Sequence, residues 1–247
     1  TGMEQRFKTL ISKMRCFLGV SLLFVQMFSA VYAQSMLPSG GSAAWEIEIK
    51  ESISHSYKGQ LKEATKAAER ALTLIYDENQ LETAAHAFSK YVLGDLYITS
   101  GRYQVGEGLL VEAYEALKRH DRGEEWLGLV LRSLTGLYLA VGKPLEARTY
   151  GKELYEFDRS FNGNPFARLH NLLLVGEVYR VAGDINKSIE LYRLAVERIR
   201  QEPQLDVVLT AIPLNGLAAI YLQIGDPTAA VKKSREALEF LDNNPDS

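Results

Sequence analysis

The chain has 247 residues, 47% apolar and 24% charged, with a net charge of −3, values close to those of a soluble globular protein. Over residues 1–33 four basic residues against one acidic give +3, which leaves −6 for the rest. A mildly acidic body without a basic stripe excludes nucleic acid as the main partner, and seven prolines with no long polar tract exclude a disordered chain.

In chain order, Lys8, Lys13 and Arg15 precede an apolar run from Cys16 to Phe28, followed by Ser29-Ala30-Val31-Tyr32-Ala33. A basic start, an apolar stretch and small residues at Val31 and Ala33 predict a secretory signal over residues 1–33, cleaved after Ala33. The alternative is an uncleaved membrane anchor over 16–30, although the run is shorter than the ~20 residues a span prefers and contains Gln26. Cleavage removes Cys16, the one cysteine, and with it any disulfide, thiol nucleophile or thiolate metal site. The sequence opens on Thr1-Gly2, so Met3 or Met14 is expected as the start, or the sequence is a fragment of a larger protein.

Residues 34–44 read as a Gly, Ser and Pro-rich linker. Beyond it, Gly59, Gly101, Gly142, Gly183 and Gly225 recur at gaps of 42, 41, 41 and 42 residues. A period of this size marks a solenoid of stacked supersecondary units. Ahead of Gly101, Leu93, Gly94 and Tyr97 share a helical face; after it, Gly106, Leu110 and Ala113 do the same. The third unit repeats this with Leu134, Tyr138, Ala147, Gly151 and Leu154, and the fourth with Val175, Gly176, Tyr179, Ser188, Tyr192 and Ala195. The fifth has Leu217, Ala218, Tyr221, Ala230, Ser234 and Ala237. Five places after each turn glycine stands a small residue (Ala64, Gly106, Ala147, Ser188, Ala230), which permits close approach of two antiparallel helices. Asn79-x-x-Glu82 and Asp121-x-x-Glu124 resemble capping boxes, and Asn164-Pro165, Lys143-Pro144 and Asp226-Pro227 resemble helix starts. Nothing reads as a strand.

The spacing Leu-Gly-x-x-Tyr-x-x-x-Gly-x-Tyr-x-x-Ala resembles the tetratricopeptide repeat over about residues 45–243. The units are seven or eight residues longer than the ordinary 34, similar to kinesin light chains and to many bacterial arrays. HEAT repeats share the period but not this glycine–tyrosine–glycine spacing. The resemblance implies an all-α, right-handed superhelical solenoid of five antiparallel hairpins, with repeats near 45–86, 87–127, 128–168, 169–210 and 211–243. Two departures stand out. Lys90, Leu131, Leu172 and Leu214 replace the family's early aromatic, and Glu51, Ser52 and His55 break the core pattern of the first unit, which reads as a degenerate terminal cap.

No catalytic constellation is found. His55, His86, His120 and His170 form no zinc-binding pair. Gly106-x-Gly108 lies in a helix that follows a helix, not a strand. Gly136 to Gly142-Lys143 has the wrong spacing for a phosphate loop, with Pro144 where Ser or Thr belongs. Asn186-Lys187-Ser188 is a formal glycosylation sequon, but Ser188 is read as the small packing residue. The tyrosines fall on repeat core positions. The expectation is therefore a non-enzymatic protein with no cofactor and no metal.

The resemblance implies an exported interaction scaffold, periplasmic or extracellular, that holds a partner peptide or helix along its concave face. Family positions map there to Phe88, Tyr91, Asp95 and Ile98, then Leu129, Arg132 and Leu139, then His170, Leu173, Glu177 and Arg180, and finally Asn215 and Leu222. The alternative is the sensing or recruiting front of a larger bacterial protein, caspase-like or signalling. Val231, Leu238 and Leu241 on the last helix also suggest pairing with a second copy.

Overall fold

The computed structural model describes residues 43–77, 83–119, 124–160 and 163–242. Ten α-helices lie among them: α1 (Ala44–Tyr57), α2 (Leu61–Asp77), α3 (Ala84–Thr99), α4 (Tyr103–Lys118), α5 (Glu124–Ala140), α6 (Pro144–Ser160), α7 (Pro165–Val181), α8 (Ile185–Gln201), α9 (Ala211–Gln223) and α10 (Pro227–Asp242). No strand occurs among the described residues. The predicted signal over 1–33 and the linker, apart from its last two residues, lie outside them. The chain divides into two compact units, residues 1–74 and 75–247, with the boundary inside α2.

Each predicted turn glycine has a left-handed backbone, with φ of 70° at Gly59, 78° at Gly101, 73° at Gly142, 85° at Gly183 and 79° at Gly225. An L side chain resists this conformation, which is why glycine recurs. The residue after each glycine donates its N–H back to the carbonyl five residues earlier in the hairpin, closing a Schellman motif. Arg102, Lys143, Asp184 and Asp226 bond in this way to Tyr97, Tyr138, Tyr179 and Tyr221 at 2.7, 2.8, 2.9 and 2.8 Å. In the first unit Gln60 bonds likewise to His55 at 2.9 Å. The repeated tyrosine therefore supplies its main chain to the turn. Its ring also serves in two repeats, where Arg102 sits over Tyr97 at 4.1 Å and Lys143 over Tyr138 at 5.5 Å.

In the first unit, α1 and α2 meet where Ser52 donates its hydroxyl to the Ala64 carbonyl at 2.8 Å. Ala64, Ala67, Ala68 and Ala71 form the buried stripe of α2 at helical spacing.

The second unit contains four hairpins, α3/α4, α5/α6, α7/α8 and α9/α10. Each second helix also packs on the first helix of the next hairpin, α4 on α5, α6 on α7 and α8 on α9. Successive first helices touch as well, α3 with α5, α5 with α7 and α7 with α9. This is the connectivity of an all-α solenoid. The small residues do what their size allows. Ala147, Ser188 and Ala230 are buried, and Ser188 donates to the Gly176 carbonyl at 2.7 Å. Gly106 and Gly94 face each other so closely that a Cβ on Gly106 would lie 2.7 Å from the Gly94 oxygen.

Helix starts follow the sequence in part. Asn164 accepts from the Phe166 N–H at 2.9 Å and Asp226 from that of Ala229 at 2.9 Å, while α6, α7 and α10 begin on Pro144, Pro165 and Pro227. Asn79, Glu82 and Asp121 lie outside the described residues. The cap observed on α3 is Thr83, which accepts from the His86 N–H at 3.2 Å. A 3-10 turn, Val207–Thr210, precedes α9 under an Asp206 cap and had no counterpart in the sequence reading. On α10, Val231 and Leu238 are about half exposed, at 48% and 51%, whereas Leu241 packs against the core around Tyr192, Leu214 and Leu217.

Candidate partner-binding face

The thirteen predicted positions lie on the first helices of the second unit at steps of three, four or seven residues, but they do not all face the same way, since Ile98 turns toward Gly106 of its own second helix, α4. They are not equally accessible. Phe88, Tyr91, Leu129 and Arg132 are buried, at 0, 3, 1 and 7% exposure. Phe88 stacks on Trp126 of α5, with centroids 4.7 Å apart, and Leu129 belongs to the buried core. These four side chains already have intramolecular partners. Asp95, Ile98, Leu139, His170, Leu173, Glu177, Arg180 and Asn215 are half-buried, and Leu222 is exposed. Gly136 stands on α5 in register with Asp95 and Glu177, and a Cβ there would meet nothing within 4 Å. The face thus has an open floor at Gly136, flanked along the unit by two carboxylate positions.

Polar bonds tie the first helices together below this face. Ser133 of α5 donates to Asp95 of α3 at 2.7 Å. Arg132 Nε donates to Asn171 Oδ1 of α7 at 2.5 Å, and Asn171 Nδ2 donates to Asp158 of α6 at 3.0 Å. Arg180 grips Glu177 with two bonds at 2.8 and 2.5 Å and reaches Gln223 of α9 at 2.9 Å. Tyr192 of α8 passes its ring beside Gly176 and donates its hydroxyl to the same Glu177 at 3.1 Å.

These surroundings move the titrating groups. Burial raises the Asp95 carboxyl, opposed by the Ser133 hydroxyl and the Arg132 charge. Burial lifts Asp158 to about 6, against Asn171 and nearby arginines. Burial, assisted by Arg132, lowers His170 to about 3, so its imidazole is neutral at physiological pH. Burial also raises the Tyr91 and Tyr192 phenols, which remain protonated.

Sequence reasoning missed Trp126, Ser133, Asn171, Tyr192 and Gln223 as parts of this region. Asn171 could have been found as the lone amide in the run Leu169 to Val175. Ser133 and Gln223 carried no signal, since serine and glutamine at a helix surface are ordinary. Among the described residues no group of three His, Cys, Asp or Glu could hold a metal ion.

The tetratricopeptide repeat family profile matches residues 167–243, the span of the last two hairpins. The last two hairpins match this repeat. Solved structures share this tetratricopeptide fold. The TPR-like repeats of a Podosopora anserina kinesin light chain align at a TM-score of 0.71 with 17% identity, covering 83% of this chain and 98% of that one. BtubC of P. vanneervenii aligns at 0.71 with 17% identity, covering 91% and 93%. YrrB, described as a TPR protein with an unusual peptide-binding site, aligns at 0.55 with 14% identity, covering 87% and 93%. Identities this low establish likeness of fold. No curated protein matches the sequence.

Proposed function

We propose that this chain is a non-enzymatic interaction scaffold whose second unit holds a peptide or helix along the first-helix face. The observation that supports the reading is the row of half-buried Asp95, Leu139, Leu173, Glu177, Arg180 and Asn215, with exposed Leu222, around the open floor at Gly136. Apolar anchors mixed with oriented charges suit a bound segment. The polar bonds between α3, α5, α7 and α9 support the reading, since they hold neighbouring first helices in place. A peptide-binding neighbour of the same fold is consistent with the reading. We also propose export, on the basic–apolar–small order of residues 8–33. Among the described residues no helix is long and apolar enough to cross a membrane.

The test is selection of a peptide from a random displayed library, followed by binding measurements on single variants. Gly136→Leu fills the floor without meeting a neighbour at Cβ, and Leu173→Glu places a charge among the anchors. Both are expected to weaken the selected peptide about tenfold or more, while Glu190→Lys on the exposed side of α8 leaves it unchanged. Equal loss from Glu190→Lys, or no loss from Gly136→Leu, refutes the first-helix face as the site.

A further inference from the structure

The end of the α7–α8 hairpin remote from Gly183 gathers arginines in excess of their partners. Ser188 meets the Gly176 carbonyl at 2.7 Å, and a Cβ on Gly176 would lie 3.4 Å from the Tyr192 ring. Counting outward equally along the two antiparallel helices from those contacts brings Arg168 of α7 level with Arg198 of α8. Asp158 of α6 lies close to both, and Arg132 reaches it through Asn171. The charges of three guanidiniums therefore act on one carboxylate that is itself 8% exposed.

Neither Arg168 nor Arg198 forms an ion pair among the described residues. The Nε–H of Arg168 is buried and has no acceptor there. Burial, then the charge of Arg168, lowers the pKa of Arg198, while Asp158 and Glu202 act in the opposite sense. A buried donor left without an acceptor loses its hydration with nothing in return, and native structures rarely tolerate that unless the group has a use. Both arginines remain half-buried rather than sealed, so a small anion can reach them.

We propose that Arg168 and Arg198 form a binding site for an oxyanion, a phosphate or carboxylate group, at this open end of the hairpin. Guanidinium forks match the geometry of such groups and bind them with two parallel N–H donors. The ionised carboxylate of Asp158 is the built-in competitor, since its charge repels a second anion. The site uses none of Asp95, Gly136, Leu173 or Leu222, so it stands or falls separately from the peptide face.

The full chain is titrated with inorganic phosphate and, separately, with N-acetylated tetraglutamate, with sodium chloride holding ionic strength constant. Binding is read by calorimetry and by the arginine Nε–Hε resonances in nitrogen-edited NMR. The Arg168 resonance should move saturably with at least one probe. Arg198→Gln should weaken that binding by about tenfold or more, and Asp158→Asn should strengthen it. Arg193→Gln, an exposed arginine on the same helix, should leave it unchanged. Phosphate alone binding identifies a free oxyanion as the ligand; tetraglutamate binding identifies a polypeptide carboxylate. Absence of a saturable shift with both probes up to about 10 mM, or undiminished binding by a folded Arg198→Gln chain, overturns the site.

Discussion

Four glycines that look alike in the sequence should respond differently to a single methyl group. Gly142 turns a hairpin at φ 73°, and a Cβ there would meet no atom within 4 Å. Gly142→Ala therefore isolates the backbone cost of the left-handed region, about 1–2 kcal/mol, offset by about 0.4–1 kcal/mol from a stiffer unfolded chain. The expected net loss is roughly 1 kcal/mol. Gly108 lies inside α4, also with open space at Cβ, so Gly108→Ala should gain about 1 kcal/mol from helix propensity alone. Gly216 is helical too, but its Cβ would lie 2.4 to 2.8 Å from the Tyr192 ring, which is 5% exposed and hydrogen-bonded to Glu177. Overpacking of about 1–3 kcal/mol then outweighs the propensity gain. Gly106 is the least able to adapt, since its Cβ would press at 2.7 Å on the Gly94 main-chain oxygen, which cannot rotate away. The expected order of stability is Gly108→Ala, then wild type, then Gly142→Ala and Gly216→Ala, with Gly106→Ala last. Urea and thermal unfolding followed by far-ultraviolet circular dichroism measure it, at roughly 2–4 °C per kcal/mol for a chain of this size. If Gly142→Ala matches Gly108→Ala, the turn glycines are not held in place by their backbone. If Gly106→Ala is neutral, the close helix approach is wrong.

Asp158 and His170 should pull the pH dependence of stability in opposite directions. The folded pKa of Asp158 is raised to about 6, so its contribution improves as pH falls from about 6 to about 4; that of His170 is lowered to about 3, so its contribution is lost as pH falls below about 6.5. Denaturation at several pH values should show Asp158→Asn losing stability more steeply on acidification than wild type, and His170→Gln losing it less steeply; parallel curves for all three would refute both assignments. Arg132→Ala should destabilise by about 1–3 kcal/mol, because Asn171 Oδ1 loses its donor in a buried setting; a melting temperature within a degree of wild type would show that the network carries nothing. Protein exported by its native host should begin at Gln34 on N-terminal sequencing, whereas a cytoplasmic product retaining residues 14–33 would end the export reading.

The elements set by local chemistry are legible in the sequence. A left-handed turn accepts few residues, so Gly101, Gly142, Gly183 and Gly225 announce it, and a tight helix pair needs a small side chain, so Ala147, Ser188 and Ala230 announce that. The candidate face was only half legible, and the reason is geometric. Position within a repeat tells which way a side chain leaves its own helix, but not how far the next first helix stands from it. Where α3 and α5 approach, Trp126 stacks on Phe88, and a position that reads as a surface anchor becomes core. The bonds that link successive first helices join residues 38 to 43 apart, as in Asp95 with Ser133, Arg132 with Asn171 and Arg180 with Gln223. Each pair lies about one repeat period apart but is slightly out of register, so no within-repeat pattern displays it. On the proposed peptide face the same offset would set specificity. Because adjacent first helices are latched by different chemistry at each step, an amide bond here and a serine–carboxylate bond there, the repeats are not interchangeable. A peptide lying across them meets a fixed order of groups, Asp95, then the bare Gly136, then Glu177 held by Arg180. Specificity on this face would follow from that order, with Gly136 admitting the deepest side chain of the bound segment and the latched carboxylates on either side fixing its register.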